Sequence, residues 1–174
     1  AVRAGHTFYT HTAGCLELRE AIASKIHDLH GLAYRPAEIM STVGASMAIY
    51  AAIRAFVSRG DNAVIVSPAY AIFSNSVIMA GGEPRPVALA RTGGRFQLDL
   101  DRLRHAIDRH TRMVIVNSPS NPTGWMISVE EQRALLELAA QHDLVILADE
   151  VYERLVYNDK PKGLSPPHGQ GLSP

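Results

Sequence analysis

The sequence holds a single cysteine, Cys15, so no disulfide can close within the chain and no cysteine pair marks a metal site. Cys15 reads as a small core residue, and its isolation suits a reducing compartment. An excess of charge of one sign is missing too: 17 lysines and arginines balance 17 aspartates and glutamates. No overall field therefore draws the chain to nucleic acid or to an acidic membrane surface. No run of about 18 apolar residues is present to span a bilayer, and the opening stretch Ala1 to Thr12 lacks the basic and then apolar pattern of a signal peptide. The expectation is a soluble, cytoplasmic protein that handles small ligands, without nucleic-acid, membrane or metal partners. Neither a Gly-x-Gly-x-x-Gly fingerprint nor a Gly-Lys-Ser/Thr loop occurs, which removes the usual marker of dinucleotide and nucleoside-triphosphate sites. The chain does not open on methionine, which suggests that Ala1 lies inside a longer polypeptide.

What is present is enough apolar material, 47% of 174 residues, to build the core of one domain. Glu17 to His30 carries Leu18, Ile22, Ile26 and Leu29 at helical spacing, with Gly31 where a helix ends. Glu38 to Val43 reads as a short first strand, followed by a helix over Met47 to Val57 that is apolar on nearly every side. Strands are predicted at Ala63–Val66, Arg85–Leu89, Arg112–Val116 and Leu144–Ala148, with a helix over Tyr70–Ala80. Asp99 caps a helix bearing Leu103 and Ile107. Ser128 and Glu131 form a capping box ahead of a helix bearing Leu135, Leu138 and Ala139. Five strands alternating with helices, the strands apolar throughout, specify a doubly wound α/β fold with a mainly parallel sheet. From about Lys160 the pattern gives way to a proline- and glycine-rich tail, expected to be mobile.

In such sheets ligands sit beyond the carboxyl ends of the strands, so the residues following each strand matter most. Gly44-Ala45-Ser46 precedes a helix and offers backbone N–H groups, a hydroxyl and the positive end of the helix dipole to an anion. An ordinary serine cap explains the same residues. Ser67-Pro68-Ala69-Tyr70 places an aromatic ring at the same edge, either to stack on a flat ligand or to cover core. Asn117-Ser118-Pro119-Ser120-Asn121-Pro122-Thr123-Gly124 is a turn constrained by two prolines, with the Asn121 amide facing the crevice. Asp149, directly after an apolar strand, is expected to be largely desolvated and to need a cationic partner. A helix cap or an arginine salt bridge would also satisfy it. Tyr152 brings a phenol to the same spot.

These segments, in this order, resemble the fold-type I pyridoxal-phosphate enzymes, specifically the class I/II aminotransferases, a fold of three α/β/α layers. The resemblance runs from Tyr9 to about Tyr157. It rests on Tyr9-Thr10-His11-Thr12-Ala13-Gly14 with Leu18-Arg19-Glu20-Ala21-Ile22-Ala23, Thr42-Val43-Gly44-Ala45-Ser46, Ser67 to Tyr70, Asn117 to Gly124, and Asp149-Glu150-Val151-Tyr152. It implies that Gly44, Ala45 and Ser46 hold the phosphate of pyridoxal 5'-phosphate, that Tyr70 stacks on the pyridine ring, and that Asn121 and Tyr152 bond its hydroxyl oxygen. Asp149 would face the ring nitrogen and keep it protonated, making the ring an electron sink. Tyr9 resembles the tyrosine that reaches the phosphate of a neighbouring subunit, which implies a homodimer. Cis peptide bonds are implied at Ser67-Pro68 and Asn121-Pro122.

Several family parts are not in the sequence. The catalytic lysine, expected downstream of Tyr152 in a Ser-x-x-Lys context, has no match, since the lysines are Lys25, Lys160 and Lys162. The arginine for the substrate carboxylate belongs to a small C-terminal domain that is likewise missing, and Trp125 is bulkier than the family pattern. The reading is a partial large domain over residues 1–159 and a tail over 160–174. It comes from an enzyme that exchanges an amino group between an amino acid and a 2-oxo acid, and the chain alone is expected to be inactive. A carbon-sulfur lyase or other β-eliminating enzyme of the same fold, and a non-catalytic truncated product, are the alternatives.

Overall fold

The computed structural model describes residues 1–157, so the tail expected over 160–174 lies outside the described residues. The chain divides into two compact units, Ala1–Gly44 and Ala45 onward. None of residues 1–44 is buried, and Cys15, expected in the core, is exposed at the start of the first helix. Helix α1 (Leu16–His30) occupies the predicted stretch and stops at Gly31, whose φ of 69° is left-handed. Arg19 Nη1 donates to the Pro36 carbonyl oxygen at 2.9 Å and ties α1 to a single 3₁₀ turn, Pro36–Glu38. The strand expected over Glu38 to Val43 does not form. Its start is drawn into that 3₁₀ turn, where the Arg35 N–H donates to Glu38 Oε2 at 2.8 Å. No strand among the described residues pairs with the remainder.

The second unit begins with α2 (Ala45–Phe56) and continues through β1 (Asn62–Ser67), α3 (Ile72–Met79) and β2 (Glu83–Ala88). A small hairpin, β3 (Ala90–Thr92) and β4 (Arg95–Gln97), precedes α4 (Leu100–Ala106), β5 (Thr111–Asn117), α5 (Val129–Gln141) and β6 (Val145–Asp149). The hairpin was not expected from sequence, although Gly93 and Gly94, at φ 58° and 79°, make its turn. Among the described residues the main sheet has four strands, all parallel, in the order β2-β1-β5-β6.

Alternation along the strands divides the core in two. Ala63, Ile65, Met113 and Ile115 point to one face and pack with Ile49 and Ile53 of α2 and Phe73 and Val77 of α3. Val64, Val66, Val114 and Val116 point to the other and pack with Leu103 of α4 and Leu135 and Leu138 of α5. Period-two side-chain direction thus yields three α/β/α layers from strands that are apolar on both faces. Trp125 is buried in the second of these cores, which accounts for the room its bulk needs. Helix α2 is not apolar-buried all round as expected: Ile49 and Ile53 face the sheet while Met47 and Phe56 are about half exposed.

Both predicted caps are formed. Asp99 accepts from the Arg102 N–H at 3.0 Å. Ser128 Oγ accepts from the Glu131 N–H, and Glu131 Oε2 accepts from the Ser128 N–H at 2.8 Å. The other oxygen of Glu131 accepts from the buried Leu98 N–H at 2.6 Å, so one carboxylate starts α5 and fixes the approach to α4.

The two ends of the sheet differ. In β2 the N–H groups of Glu83 and, just beyond the strand, Leu89 bond inward to Asp61 and Ser67, so the even-numbered positions face away from β1. Pro84 and Pro86 occupy two of them. Lacking N–H groups, they leave little for another strand to pair with. At the opposite end β6 carries Val145, Ile146 and Leu147, all half-buried, and no proline.

Candidate functional site

The order of the strands creates a switch point. From β1 the chain crosses through α3 to β2 on one side, then returns through α4 to β5 on the other, the two helices lying on opposite faces. Between the carboxyl ends of β1 and β5 the connections therefore diverge and leave a crevice, the place where open α/β sheets take ligands.

Each predicted residue of the second unit can be located against that edge. Helix α2 leads into β1, and its far end meets the amino edge of the sheet: a Cβ on Gly82, just before β2, would strike Val57 Cγ1. The start of α2, one helix length or about 18 Å away, is consequently at the carboxyl edge. Ala45 and Ser46 are exposed there, and the first-turn N–H groups have no partners within the helix. Gly44 stands immediately before them with φ 79°, its N–H donating to the Thr42 carbonyl oxygen at 2.8 Å. Tyr70 follows the cis Ser67-Pro68 bond at the end of β1 and is 58% exposed.

The turn after β5 contains two more cis bonds, the expected Asn121-Pro122 and also Ser118-Pro119. Asn121 is half-buried in it. Asn117 and Asp149 are opposite one another where β5 and β6 end. Tyr152 follows in the turn after β6, half-buried. Tyr9 belongs to the first unit and is fully exposed.

Asp149 departs from expectation in one respect: it is half-buried rather than largely desolvated. Among the described residues it closes an edge strand, β6, which pairs with β5 alone. Its Oδ1 accepts from the Val151 N–H at 3.2 Å, and no ion pair to it forms among the described residues, so neither an arginine salt bridge nor a helix cap occupies it. At one edge, then, the second unit holds the N–H groups and a hydroxyl of a helix start, an open aromatic ring, an amide and a carboxylate with no cationic partner among the described residues. A flat ligand with an anionic arm and a protonatable ring fits that donor set.

Asn117 was named from sequence only as the start of a turn, yet it joins two of these groups. It is 5% exposed. Its Nδ2 donates to the Asp149 carbonyl oxygen at 3.0 Å, and its Oδ1 accepts from the Asn121 N–H at 2.7 Å. The backbone N–H of Ser118 adds a second bond to the Asp149 carbonyl, at 3.1 Å. A polar residue directly after four apolar ones, Met113 to Val116, is the one local signal of such a role.

The sequence matches the profile of "Aminotransferase class I and II" over residues 3–167, and the chain belongs to that family. It is 39% identical over 171 residues to the probable aspartate/prephenate aminotransferase of Thermus aquaticus, an alignment covering 97% of this chain and 44% of that protein. With the aspartate aminotransferase of Bacillus subtilis it shares 36% identity over 156 residues, 90% of this chain and 39% of the other. The solved structure of N-succinyldiaminopimelate aminotransferase from Mycobacterium tuberculosis superposes with a TM-score of 0.91 at 38% identity, covering 97% of this chain and 44% of that one. The chain thus spans less than half the length of these relatives. The likeness to fold-type I aminotransferases confirms the α/β class read from sequence.

Proposed function

We propose that residues 1–159 are part of the large domain of a pyridoxal-phosphate-dependent aminotransferase, which exchanges an amino group between an amino acid and a 2-oxo acid as a cytoplasmic homodimer. The observation that carries this reading is the half-buried Asp149 carboxylate, placed at the carboxyl edge of the sheet without a cationic partner among the described residues. Pyridoxal phosphate, when bound, supplies a protonated ring that withdraws electrons from the substrate α-carbon. Asp149 holds the proton on the ring nitrogen, because an adjacent anion favours the charged form. Ala45 and Ser46, with Gly44 ahead of them, take the phosphate at the start of α2. Tyr70 covers one face of the ring, Asn121 and Tyr152 hold its hydroxyl oxygen, and Tyr9 serves the phosphate of a second copy.

Relatives at 36–40% identity are named aminotransferases, which does not favour the lyase alternative. No lysine occurs between Ala45 and Tyr157, so the amine that would join the cofactor and move the α-proton is absent from the described part of the second unit. Residues 1–159 therefore bind and orient, and a small domain such as the family resemblance implies would complete the substrate pocket. The test is a titration of isotope-labelled chain with pyridoxal phosphate, followed by nuclear magnetic resonance. Shifts concentrated at Ala45, Ser46, Tyr70, Asn121, Asp149 and Tyr152 are expected, and shifts confined to the amino edge of the sheet would refute the site.

A further inference from the structure

We infer that Asn117 is a positioning residue that sets the Asn121 and Asp149 segments relative to each other, and so fixes the spacing between the two groups assigned to the ring hydroxyl and the ring nitrogen of the cofactor. This rests on the pyridoxal-phosphate reading of the site. A primary amide presents one acceptor and one donor nitrogen on a rigid plane. Asn117 directs its acceptor to the Asn121 N–H at 2.7 Å and its donor to the Asp149 carbonyl oxygen at 3.0 Å. The two partners lie on different segments, the turn after β5 and the end of β6, and their sequence separations from Asn117 are 4 and 32 residues.

Burial makes the arrangement stiff. At 5% exposure Asn117 has little water to substitute for either bond, and without its Oδ1 the Asn121 N–H loses the acceptor it has here. The parallel register, with Asn117 opposite Asp149, brings the β6 carbonyl within reach. Ser118 reinforces the join: its N–H reaches the same carbonyl, and its Oγ accepts from the Ile127 N–H at 3.0 Å, anchoring the far end of the turn. Asn117 itself faces backbone groups and needs no contact with the ligand.

The experiment compares the parent chain with Asn117→Ala, which loses both bonds, and Asn117→Asp, which keeps the shape and the acceptor but loses the donor to Asp149. Three quantities are measured for each: the dissociation constant of pyridoxal phosphate, the pH at which the visible band of the bound cofactor changes, and the unfolding temperature without cofactor. Asn117→Ala is expected to weaken binding about tenfold and Asn117→Asp about fivefold, on the scale of one or two lost hydrogen bonds, and both to move the pH midpoint. A purely structural role would lower the unfolding temperature and leave the dissociation constant and midpoint of folded protein unchanged, which overturns the inference while the site reading stands. Should Asn117→Ala fail to fold, the isosteric Asn117→Asp decides on the same criteria. A parent chain that does not bind pyridoxal phosphate overturns the site reading and this inference together.

Discussion

Asp149 Oδ1 is 3.2 Å from the backbone nitrogen of Val151, whose N–H it accepts, and no cation stands beside that carboxylate among the described residues. An anion at the end of an apolar strand, satisfied by one neutral donor, is poised for a positively charged ligand. Asp149→Asn keeps the size and the acceptor for Val151 but removes the charge. Stability should therefore stay within about 0.5 kcal/mol of the parent, as for substitutions outside the core. Pyridoxal phosphate binding should fall about tenfold, since one unit of ring-nitrogen pKa corresponds to about 1.4 kcal/mol. Equal affinities for the parent and Asp149→Asn would sink the assignment of this carboxylate.

A second carboxylate carries stability rather than ligand binding. At the amino edge Asp108 accepts from Arg85 Nη1 at 2.7 Å, from Asn62 Nδ2 at 3.0 Å and from the His110 N–H at 2.8 Å. The Arg85 bond, then those from Asn62 and His110, hold the Asp108 carboxyl well below its usual range. A folded-state value below the unfolded one, about 3.9, means that the unfolded chain binds the proton more tightly. The contribution is therefore fully present above about pH 5 and is lost as acid approaches the folded-state value. Asp108→Asn should unfold at lower temperature than the parent at pH 7, with the two curves converging toward about pH 2. A gap that stays constant across that range contradicts the assignment.

What was legible in the sequence was what local chemistry determines. The runs Ala63-Val64-Ile65-Val66 and Met113-Val114-Ile115-Val116 read as buried strands because both of their faces are covered. Asp99, Ser128 and Glu131 announced helix starts through bonds three residues long. Glu38 to Val43 misled because extended backbone becomes a strand only with a partner, and pairing is decided elsewhere in the chain. The hairpin at Gly93-Gly94 was missed because its strands are three residues each. Asn117 could be seen to end a strand, but its bond to Asp149 depends on the β5–β6 register, which no short segment encodes.

The prolines of β2 yield a third expectation. Pro84 and Pro86 remove two outward N–H groups from an edge of a parallel sheet. Exposed edges otherwise recruit strands from other molecules. Replacing both by valine restores the donors and adds residues of high strand propensity. Self-association measured by analytical ultracentrifugation should rise in Pro84→Val/Pro86→Val relative to the parent at equal concentration. An unchanged sedimentation profile would show that the prolines do not guard this edge.

The last expectation concerns turnover by the 174-residue chain. The anchors read for the cofactor are the N–H groups and hydroxyl at the start of α2, the Tyr70 ring, the Asn121 and Tyr152 side chains, and the Asp149 carboxylate. All can bind and none can replace a lysine amine as the group that attaches the aldehyde and carries the α-proton. Lys25 is on the exposed surface of α1, Lys160 and Lys162 lie outside the described residues, and Ala45 to Tyr157 contain no lysine. Positioned acid–base catalysis alone contributes about 10² to 10⁴-fold, and closing a site against water strengthens the electrostatics within it. The chain should therefore bind pyridoxal phosphate reversibly and show no transamination above the rate of free cofactor. Incubation with pyridoxal phosphate, borohydride reduction and peptide mapping give the decisive measurement. A stoichiometric adduct on one lysine, accompanied by conversion of an amino acid and a 2-oxo acid, would show that the chain supplies its own amine and that the division of labour argued from residues 45–157 is wrong.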